Sequence, residues 1–503
     1  MNRDSLRIKI DEIDAQLVEL FVKRMDVAGA IGKVKFEQGI PIYDKDREEA
    51  KIESLRALVD EQYKDYVEQL YRQIFELSRT YQKECTGVGN GIACRKRCGL
   101  LGEKLAHSYS PFIHKEFGDY EYRLYEVEPG KLRYFIENGD WDGLNVTIPY
   151  KRDVVTFCDS LTPIAKALGS VNVLVRNGDG TITGDNTDAY GFEKLLEKTG
   201  VSVAGKKALV LGNGGASASV REVLKNAGAK VTVISRNGEN NYNNLELNAD
   251  AEVIVNTTPV GMYPDNGEKL LDLKNFPKCG LVVDIIYNPA RTALILQAEE
   301  LGIPCAGGLY MLVAQAKRAA ELFSGQPIDD SETDRVEKLL GEEMENIILI
   351  GMPGCGKSTV AGLLGIFAEK DVIEIDRLIE KKAGMSIPEI FESRGEAGFR
   401  KLESEVIAEV SKLSDKIIST GGGCVTVPSN YGLLHQNGKI VWIKRDIEKL
   451  SREGRPLSQK NDLADMYAVR RPLYEMFADF EADNNGDAEE TARSIMKKVW
   501  SNK

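Results

Sequence analysis

Gly351-Met-Pro-Gly354-Cys355-Gly356-Lys357-Ser358-Thr359 spaces its glycines so that backbone amides converge, with a lysine and hydroxyls at the exit. Such amides cradle phosphates, Lys357 reaches the β/γ-phosphates and the Ser358 hydroxyl ligates Mg²⁺. A second glycine cluster, Gly212-Asn-Gly214-Gly215-Ala216-Ser217, follows the apolar run Ala208 to Leu211. Its pattern is G-x-G-G-A-S, with Ser217 where a third glycine would complete a dinucleotide fingerprint; an ordinary strand-to-helix turn is the plainer alternative. Between these clusters and the N-terminus stand Thr147, Lys151, Ser170-Val-Asn172 and Gly184-Asp-Asn186-Thr-Asp188. Small polar residues with one lysine and one aspartate suit a polyol substrate and an acid–base pair. Arg24 and Lys35 lie eleven residues apart, three helical turns, and so share a face from which both can reach one dianion.

These groups need elements to hold them. Leu6, Ile10, Ile13, Leu17, Leu20 and Phe21 repeat every three or four residues, and the period continues through Val27 and Ile31 to Val34, so one long helix is expected. Gln38-Gly-Ile-Pro41 ends it; a second helix is expected from about Asp44 to Val59 and a third from about Tyr63 to Lys83. A three-helix piece of this shape buries little by itself, and dimerisation is the expected remedy. Arg7 precedes Arg24 by seventeen residues, about 25 Å along a helix, so a functional Arg7 would serve the partner's site. Ala208 to Leu211 reads as a buried strand, Ala218 to Ala227 as a helix and Lys230 to Ile234 as the next strand, the opening unit of a dinucleotide-binding domain. Ser108-Tyr-Ser110-Pro111 leads into a helix with the proline in its first turn. Residues 324 to 346 are polar and acidic and read as a linker with one late helix, after which Asn346 to Ile350 is a buried strand entering the Lys357 loop.

The chain has 503 residues, which sets a prior of about three domains. A net charge of −12 without a block of like charge argues against nucleic acid as a partner, so anionic ligands need local clusters of Arg and Lys. Eight cysteines are scattered without a C-x-x-C pair, which points to reduced thiols in a cytoplasmic protein and away from a zinc site. The charged N-terminus does not read as a signal peptide, and no apolar run approaches a membrane span.

Residues 1–88 resemble the all-helical chorismate mutase family at Arg7, Arg24, Lys35, Asp44, Arg47, Glu48, Ser78 and Gln82. The resemblance implies an intertwined homodimer in which each site borrows an arginine, and a pericyclic rearrangement that needs no nucleophile and no cofactor. Lys35 and Gln82 would contact the breaking ether oxygen, while Arg7, Arg24 and Arg47 hold carboxylates.

Residues from about 92 to 325 resemble shikimate dehydrogenase throughout. Asn256-Thr-Thr-Pro-Val-Gly-Met262, Asp284-Ile-Ile-Tyr287 and Gly308-Leu-Tyr-Met-Leu-Val-Ala-Gln315 carry the match in the second half. The resemblance puts the catalytic pair at Lys151 and Asp188 and shikimate contacts at Ser108, Ser110, Thr147, Asn172, Tyr287 and Gln315. Cofactor contacts fall on Gly212, Gly214, Gly215, Ala216, Ser235, Arg236 and Gly308. The second strand ends in Ile234-Ser235-Arg236; an arginine without an acid there suits a ribose 2′-phosphate, so NADP is expected rather than NAD.

Residues from about 345 to 503 resemble shikimate kinase. Asp376, Arg400, Gly421, Gly422, Gly423 and Arg470 match its shikimate contacts, and Arg455 matches a lid arginine that stabilises the transferring phosphoryl group. Gly354, Cys355, Gly356, Lys357, Ser358 and Thr359 would hold ATP, with Ser358 the Mg²⁺ ligand. Two departures stand out. Glu374 occupies a position where the family has Asp. The lid has only Glu453 and Gly454 between Arg452 and Arg455, which implies ATP hydrolysis without acceptor.

The expected architecture is therefore multidomain. It comprises an all-α helical N-terminal module (1–88) and a two-lobed α/β dehydrogenase (92–325). The dehydrogenase has a substrate lobe at about 92–190 plus a C-terminal helix and a Rossmann-like NADP lobe at about 191–305. A P-loop α/β domain of the nucleoside-monophosphate-kinase type (345–503) completes the chain. The expected substrates are 3-dehydroshikimate, shikimate and chorismate, with NADP(H), ATP and Mg²⁺. A chorismate or prephenate sensor is the alternative role for the N-terminal module.

Overall fold

The structure is a computed structural model that describes residues 3–38, 45–85, 96–105, 108–450 and 463–500. It divides into two compact units, residues 1–96 and 97–503.

The first unit is helical. Helix α1 (Arg3–Glu37) runs unbroken for 35 residues, followed by α2 (Lys45–Arg56) and α3 (Lys64–Cys85). The expected break at residues 38–41 lies largely outside the described residues. Among the described residues of this unit, Ala28 and Ile52 are the buried hydrophobic side chains. Ile10, Ile13, Leu17, Val18, Leu20, Val22, Val27, Val34 and Phe36 are 50–65% exposed, so the apolar stripe of α1 is not covered within one copy of the unit.

The second unit begins with a mixed sheet. Its elements are β1 (Arg97–Gly102), α4 (Ser110–Phe117), β2 (Glu121–Glu126), α5 (Leu132–Asn138), β3 (Gly143–Val146), β4 (Ser160–Leu161), α6 (Pro163–Leu168), β5 (Val173–Arg176) and β6 (Ile182–Asp185). The strand order is β2-β1-β3-β5-β6-β4, with β3-β5 and β5-β6 antiparallel and the other pairs parallel. Helix α7 (Thr187–Thr199) then leads into β7 (Lys207–Leu211), α8 (Gly215–Asn226), β8 (Lys230–Ile234), β9 (Val253–Asn256), β10 (Leu281–Asp284), α9 (Ala293–Glu300) and β11 (Cys305–Ala306). These strands form a parallel sheet in the order β11-β10-β9-β7-β8. Ala208 to Leu211 are fully buried, as a continuous apolar run in a sheet covered on both faces requires. The order reverses at β7, so the Gly212 turn opens at the switch point where open α/β sheets bind ligands.

Helix α10 (Leu309–Ser324) returns to pack along α7 and α4. Helix α11 (Ser331–Met344) follows, in the stretch that composition marks as linker. It is a packed element: Val336, Leu340 and Met344 join Ile113, Val313 and Ala316 in one apolar cluster, with Tyr109, Tyr287 and Leu309 against it. Its solvent-facing acids set the polar composition, while the Val336, Leu340, Met344 spacing of a buried helix face lies beneath them.

The remaining elements are β12 (Asn346–Ile350), α12 (Lys357–Ala368), β13 (Asp371–Glu374), α13 (Ile375–Ala383), α14 (Ile387–Val410), β14 (Lys416–Ser419), α15 (Asn430–His435), β15 (Gly438–Lys444), α16 (Leu463–Phe477), β16 (Phe480–Asp483) and α17 (Ala488–Val499). The sheet is parallel, in the order β13-β14-β12-β15-β16, with β12 at its centre and Ile347, Leu349 and Ile350 fully buried. Among the described residues no helix is long and apolar enough to cross a membrane.

Candidate active sites

In the helical unit, Arg24, Lys35, Arg47, Glu48, Ser78 and Gln82 line one cavity of about 640 Å³. An Arg24 guanidinium nitrogen (Nη1) donates to Ser78 Oγ, and the same guanidinium lies over the Phe75 ring, 5.5 Å from its centroid. Glu48 is paired with Arg79, a residue that the sequence pattern did not single out. Gln82 Oε1 is buried without a hydrogen-bond partner. A buried amide oxygen without a partner is costly, and one that borders a cationic cavity is placed to meet a ligand group. Arg7 is exposed and absent from the lining, as its distance along α1 requires. Asp44 lies outside the described residues.

In the two-lobed region, the 147–151 turn after β3 and the N-terminus of α7 bring Lys151 and Asp188 together, Nζ to Oδ2 2.6 Å. Asn172 Nδ2 donates to the other oxygen of Asp188 (2.9 Å), while Asn172 Oδ1 accepts from the Thr187 amide (2.7 Å). Thr187 Oγ1 donates to Gln315 Oε1 on α10 (3.3 Å). One network thus joins four elements, and Asp188 is held at both oxygens, one by the lysine and one by an amide. The Ser110 amide donates to Ser108 Oγ (3.2 Å) at the start of α4, and the Tyr109 ring meets Tyr287 edge-on at 6.2 Å between centroids. That aromatic pair contributes about 1 kcal/mol beyond its buried area. Tyr109 sits between the two serines, but its ring contact is visible only in the fold. Thr147 opens the turn, its carbonyl accepting from the Tyr150 amide (3.0 Å).

The Tyr287 loop is anchored at its root by Asp284, which is fully buried at the end of β10. Asp284 accepts from Thr292 Oγ1 (2.7 Å), the Ile286 amide (3.1 Å) and Asn256 Nδ2 (3.1 Å). Burial pushes its carboxyl up to about 6 despite these donors.

In the parallel sheet, α8 begins at Gly215 with Gly214 as its N-cap, and the space where a Cβ would stand on either glycine is open. An open helix N-terminus of this kind fits a pyrophosphate. Gly212 turns the chain there with φ +106°, and Ala216 lies in the first turn of the helix. Ser235 and Arg236 follow β8; Arg236 is exposed, with no ion pair among the described residues. The donors present fit NADP(H). Gly308 caps α10, its amide donating to Ile286 O (2.9 Å).

In the third region, a cavity of about 370 Å³ is lined by Gly354, Gly356, Lys357, Ser358, Thr359, Glu374, Asp376, Arg400, Gly421 to Gly423 and Arg470. Lys357 Nζ donates to the loop's own carbonyls, Gly351 O (2.9 Å) and Met352 O (3.0 Å). Cys355 is buried beneath the loop, its carbonyl accepting from Asn484 Nδ2 (2.7 Å). Ser358 Oγ donates to Glu374 Oε2 (2.9 Å), so a hydroxyl and a carboxylate meet where Mg²⁺ fits, and Glu374 reaches that position despite its extra methylene. Asp376 stands in the first turn of α13, and burial holds its carboxyl above the usual range.

Helix α14 is broken at Gly395 (φ +66°, ψ −179°), a backbone region open to glycine alone, and the break aims its second half at the cavity. Arg400 on that half pairs with Glu403 Oε2 (2.7 Å) and Glu396 Oε1 (3.3 Å). Glu403 is fully buried, and its carboxyl is pushed up by burial and by Asp376, against the pull of Arg400. Its second oxygen has no partner. A Cβ on Gly421 would lie 2.6 Å from that oxygen and 2.9 Å from Asp376 Oδ1, so the glycine brings both carboxyls to one wall. Arg470 Nη1 donates to Gly422 O (3.1 Å). Glu403 and Arg445, which also line this cavity, were not singled out from sequence. Arg455 and its lid lie outside the described residues.

The folds and sites define the classes: a two-lobed α/β oxidoreductase region joined to a P-loop phosphotransferase domain, preceded by a helical domain whose cavity is lined by Arg24, Lys35 and Arg47. The chain belongs to the shikimate dehydrogenase family. The shikimate dehydrogenase (NADP(+)) of Clostridium perfringens is 38% identical over 267 residues, covering 48% of this chain and 98% of that protein. The shikimate dehydrogenase (NADP(+)) of Methanococcus maripaludis is 32% identical over 262 residues, covering 46% and 93%. The family model for the shikimate dehydrogenase substrate binding domain matches residues 100–174, that for chorismate mutase type II residues 6–83, and that for shikimate kinase residues 353–500. A chorismate mutase/shikimate 5-dehydrogenase fusion protein from Clostridium acetobutylicum is similar in solved structure. It is 37% identical, covers 49% of this chain and 98% of its own, and has a TM-score of 0.47.

Proposed function

We propose that the chain reduces 3-dehydroshikimate to shikimate with NADPH, phosphorylates shikimate with ATP and rearranges chorismate to prephenate, each at one of the three clusters above. The observation that carries this reading is closure: residues scattered along each region meet at one place within it. At the dehydrogenase site NADPH supplies the hydride. Lys151 gives a proton to the oxygen of the reduced carbon, and Asp188, fixed by Asn172, holds the lysine and the neighbouring hydroxyl. At the kinase site ATP supplies the phosphoryl group. Asp376 orients and deprotonates the accepting hydroxyl while Arg400 and Arg470 hold the carboxylate, and Arg455 stabilises the transferring charge. At the mutase site Arg24 and Arg47 hold carboxylates, and Lys35 with the side-chain NH2 of Gln82 donates to the ether oxygen.

The helical module works in this reading as a homodimer. A second copy covers the exposed stripe of α1 and brings its Arg7 to the cavity. We place the dehydrogenase–kinase boundary after Met344, because α11 packs on α4 and α10. The protein is read as cytoplasmic, acting on small molecules.

The test is a three-assay panel on full-length protein with Lys151→Ala, Asp376→Asn and Arg24→Ala. Each variant should lose about a thousandfold or more in one activity and keep the other two within about twofold. Loss of two activities from one substitution would contradict the assignment of separate sites.

A further inference from the structure

Two loops of the NADP lobe are bonded to the kinase domain. One follows β9 and includes residues 262–268; the other follows β10 and carries Tyr287. The Tyr263 amide ties them together by donating to Asn288 O (3.0 Å). The Ala290 amide donates to Asn437 Oδ1 (2.9 Å), the Arg291 amide to Gln436 O (2.9 Å) and Arg291 Nη1 to His435 O (3.1 Å). Asn266 Nδ2 donates to Gln436 Oε1 (2.9 Å), and Lys412 Nζ to Pro264 O (2.7 Å). The receiving turn is itself fixed: Gln436 and Asn437 are buried, and Gln436 Nε2 donates to Ser411 Oγ (3.0 Å) beyond the end of α14.

These bonds bear on the cleft. The root of the second loop hangs from Asp284, its Tyr287 ring touches Tyr109 beside Ser108 and Ser110, and the amides of Ala290 and Arg291 find their partners in the kinase. A loop ordered only when a ligand arrives lowers affinity; a loop ordered beforehand avoids that loss.

We propose that Gln436, a residue of the kinase domain, is a positioning residue of the dehydrogenase: its side chain grips Asn266, and through the Tyr263–Asn288 tie between the two loops it holds the Tyr287 loop against Tyr109 and so sets the affinity for shikimate. The inference rests on the reading that Tyr287 contacts shikimate. The kinase site is remote along the sheet. The 436–437 turn precedes β15, whose other end leads to Arg445, and the Asn346 amide donates to Asn437 O (2.9 Å) at the start of β12, whose other end leads to Lys357. Kinase turnover is therefore an internal control.

The experiment measures shikimate-dependent NADP⁺ reduction by full-length protein for Gln436→Ala, Asn266→Ala, the double variant and Tyr287→Phe. Each of the first two should raise the shikimate KM about three- to tenfold with kcat nearly unchanged, and the double variant should be no worse than the more affected single, the signature of a shared contact. The KM for NADP⁺ and the kinase rate should stay put. Asn266→Ala alters no kinase residue, so it decides the case if Gln436→Ala harms the kinase fold. An unchanged shikimate KM in Asn266→Ala, or additive effects in the double variant, would overturn the proposal. If Tyr287→Phe leaves the shikimate KM unchanged, the reading of Tyr287 fails and the inference with it. If Tyr287→Phe raises that KM while Asn266→Ala does not, the positioning role alone fails.

Discussion

Arg236 stands exposed after β8 with no ion pair among the described residues, and the 2′-phosphate of NADPH would give it one. A charge-assisted hydrogen bond contributes about 1.5–3 kcal/mol, so Arg236→Ala should raise the NADPH KM by about ten- to a hundredfold and leave the shikimate KM near its starting value. Equal changes in both would contradict the assignment. Asp284 makes a pH prediction. Its folded-state carboxyl titrates at about 6, above the ordinary 3.8, so its contribution to stability is full below the lower value and is lost as pH rises through 6. The melting temperature of the wild type relative to Asp284→Asn should therefore fall between pH 4 and pH 6 and level off above; a flat difference would contradict it. At this scale the motifs were legible where chemistry dictates residue type, as at Lys357, Lys151 and Asp188. Glu403 was not. An acid three residues after an arginine is also the pattern of any helical surface pair, and its complete burial beside Asp376 comes from the break at Gly395 and the close approach of Gly421.

At the scale of elements, α14 ties a backbone angle to the placement of Arg400 and Glu403 at the kinase cavity. The Gly395 conformation costs a residue with a Cβ about 1–3 kcal/mol. Gly395→Ala should therefore lower stability by that order, measured by denaturant titration, and raise the kinase KM for shikimate more than that for ATP, because Arg400 and Glu403 lie on the re-aimed half. An ATP KM that rises as much would show that the break does not serve the acceptor side. Strands beside glycine turns were legible because a buried parallel strand must be a continuous apolar run: Ala208 to Leu211 and Asn346 to Ile350 fall within or on the observed strands. Helix α11 was legible as a helix but not as a packed one. The spacing of Val336, Leu340 and Met344 shows a buried face, whereas its partners Ile113 and Val313 lie in distant elements that only the tertiary fold brings together.

At the scale of the molecule, the helical unit leaves the stripe of α1 open, and the proposed homodimer would cover it. Leu17→Glu, at a position 51% exposed in the single chain, should shift the protein toward smaller species in sedimentation and abolish mutase activity, while dehydrogenase and kinase rates persist. Retained mutase activity in a monomeric variant would contradict a shared site. The measurement that bears most directly on the three-activity account is chorismate disappearance with prephenate formation by the full-length protein, beside Arg24→Ala. The account predicts turnover by the wild type and none by the variant, whose lost guanidinium leaves Ser78 and the cavity without a principal cation. Binding of prephenate by the wild type without turnover of chorismate would contradict it, and the helical module would then be a sensor on a two-step dehydrogenase and kinase.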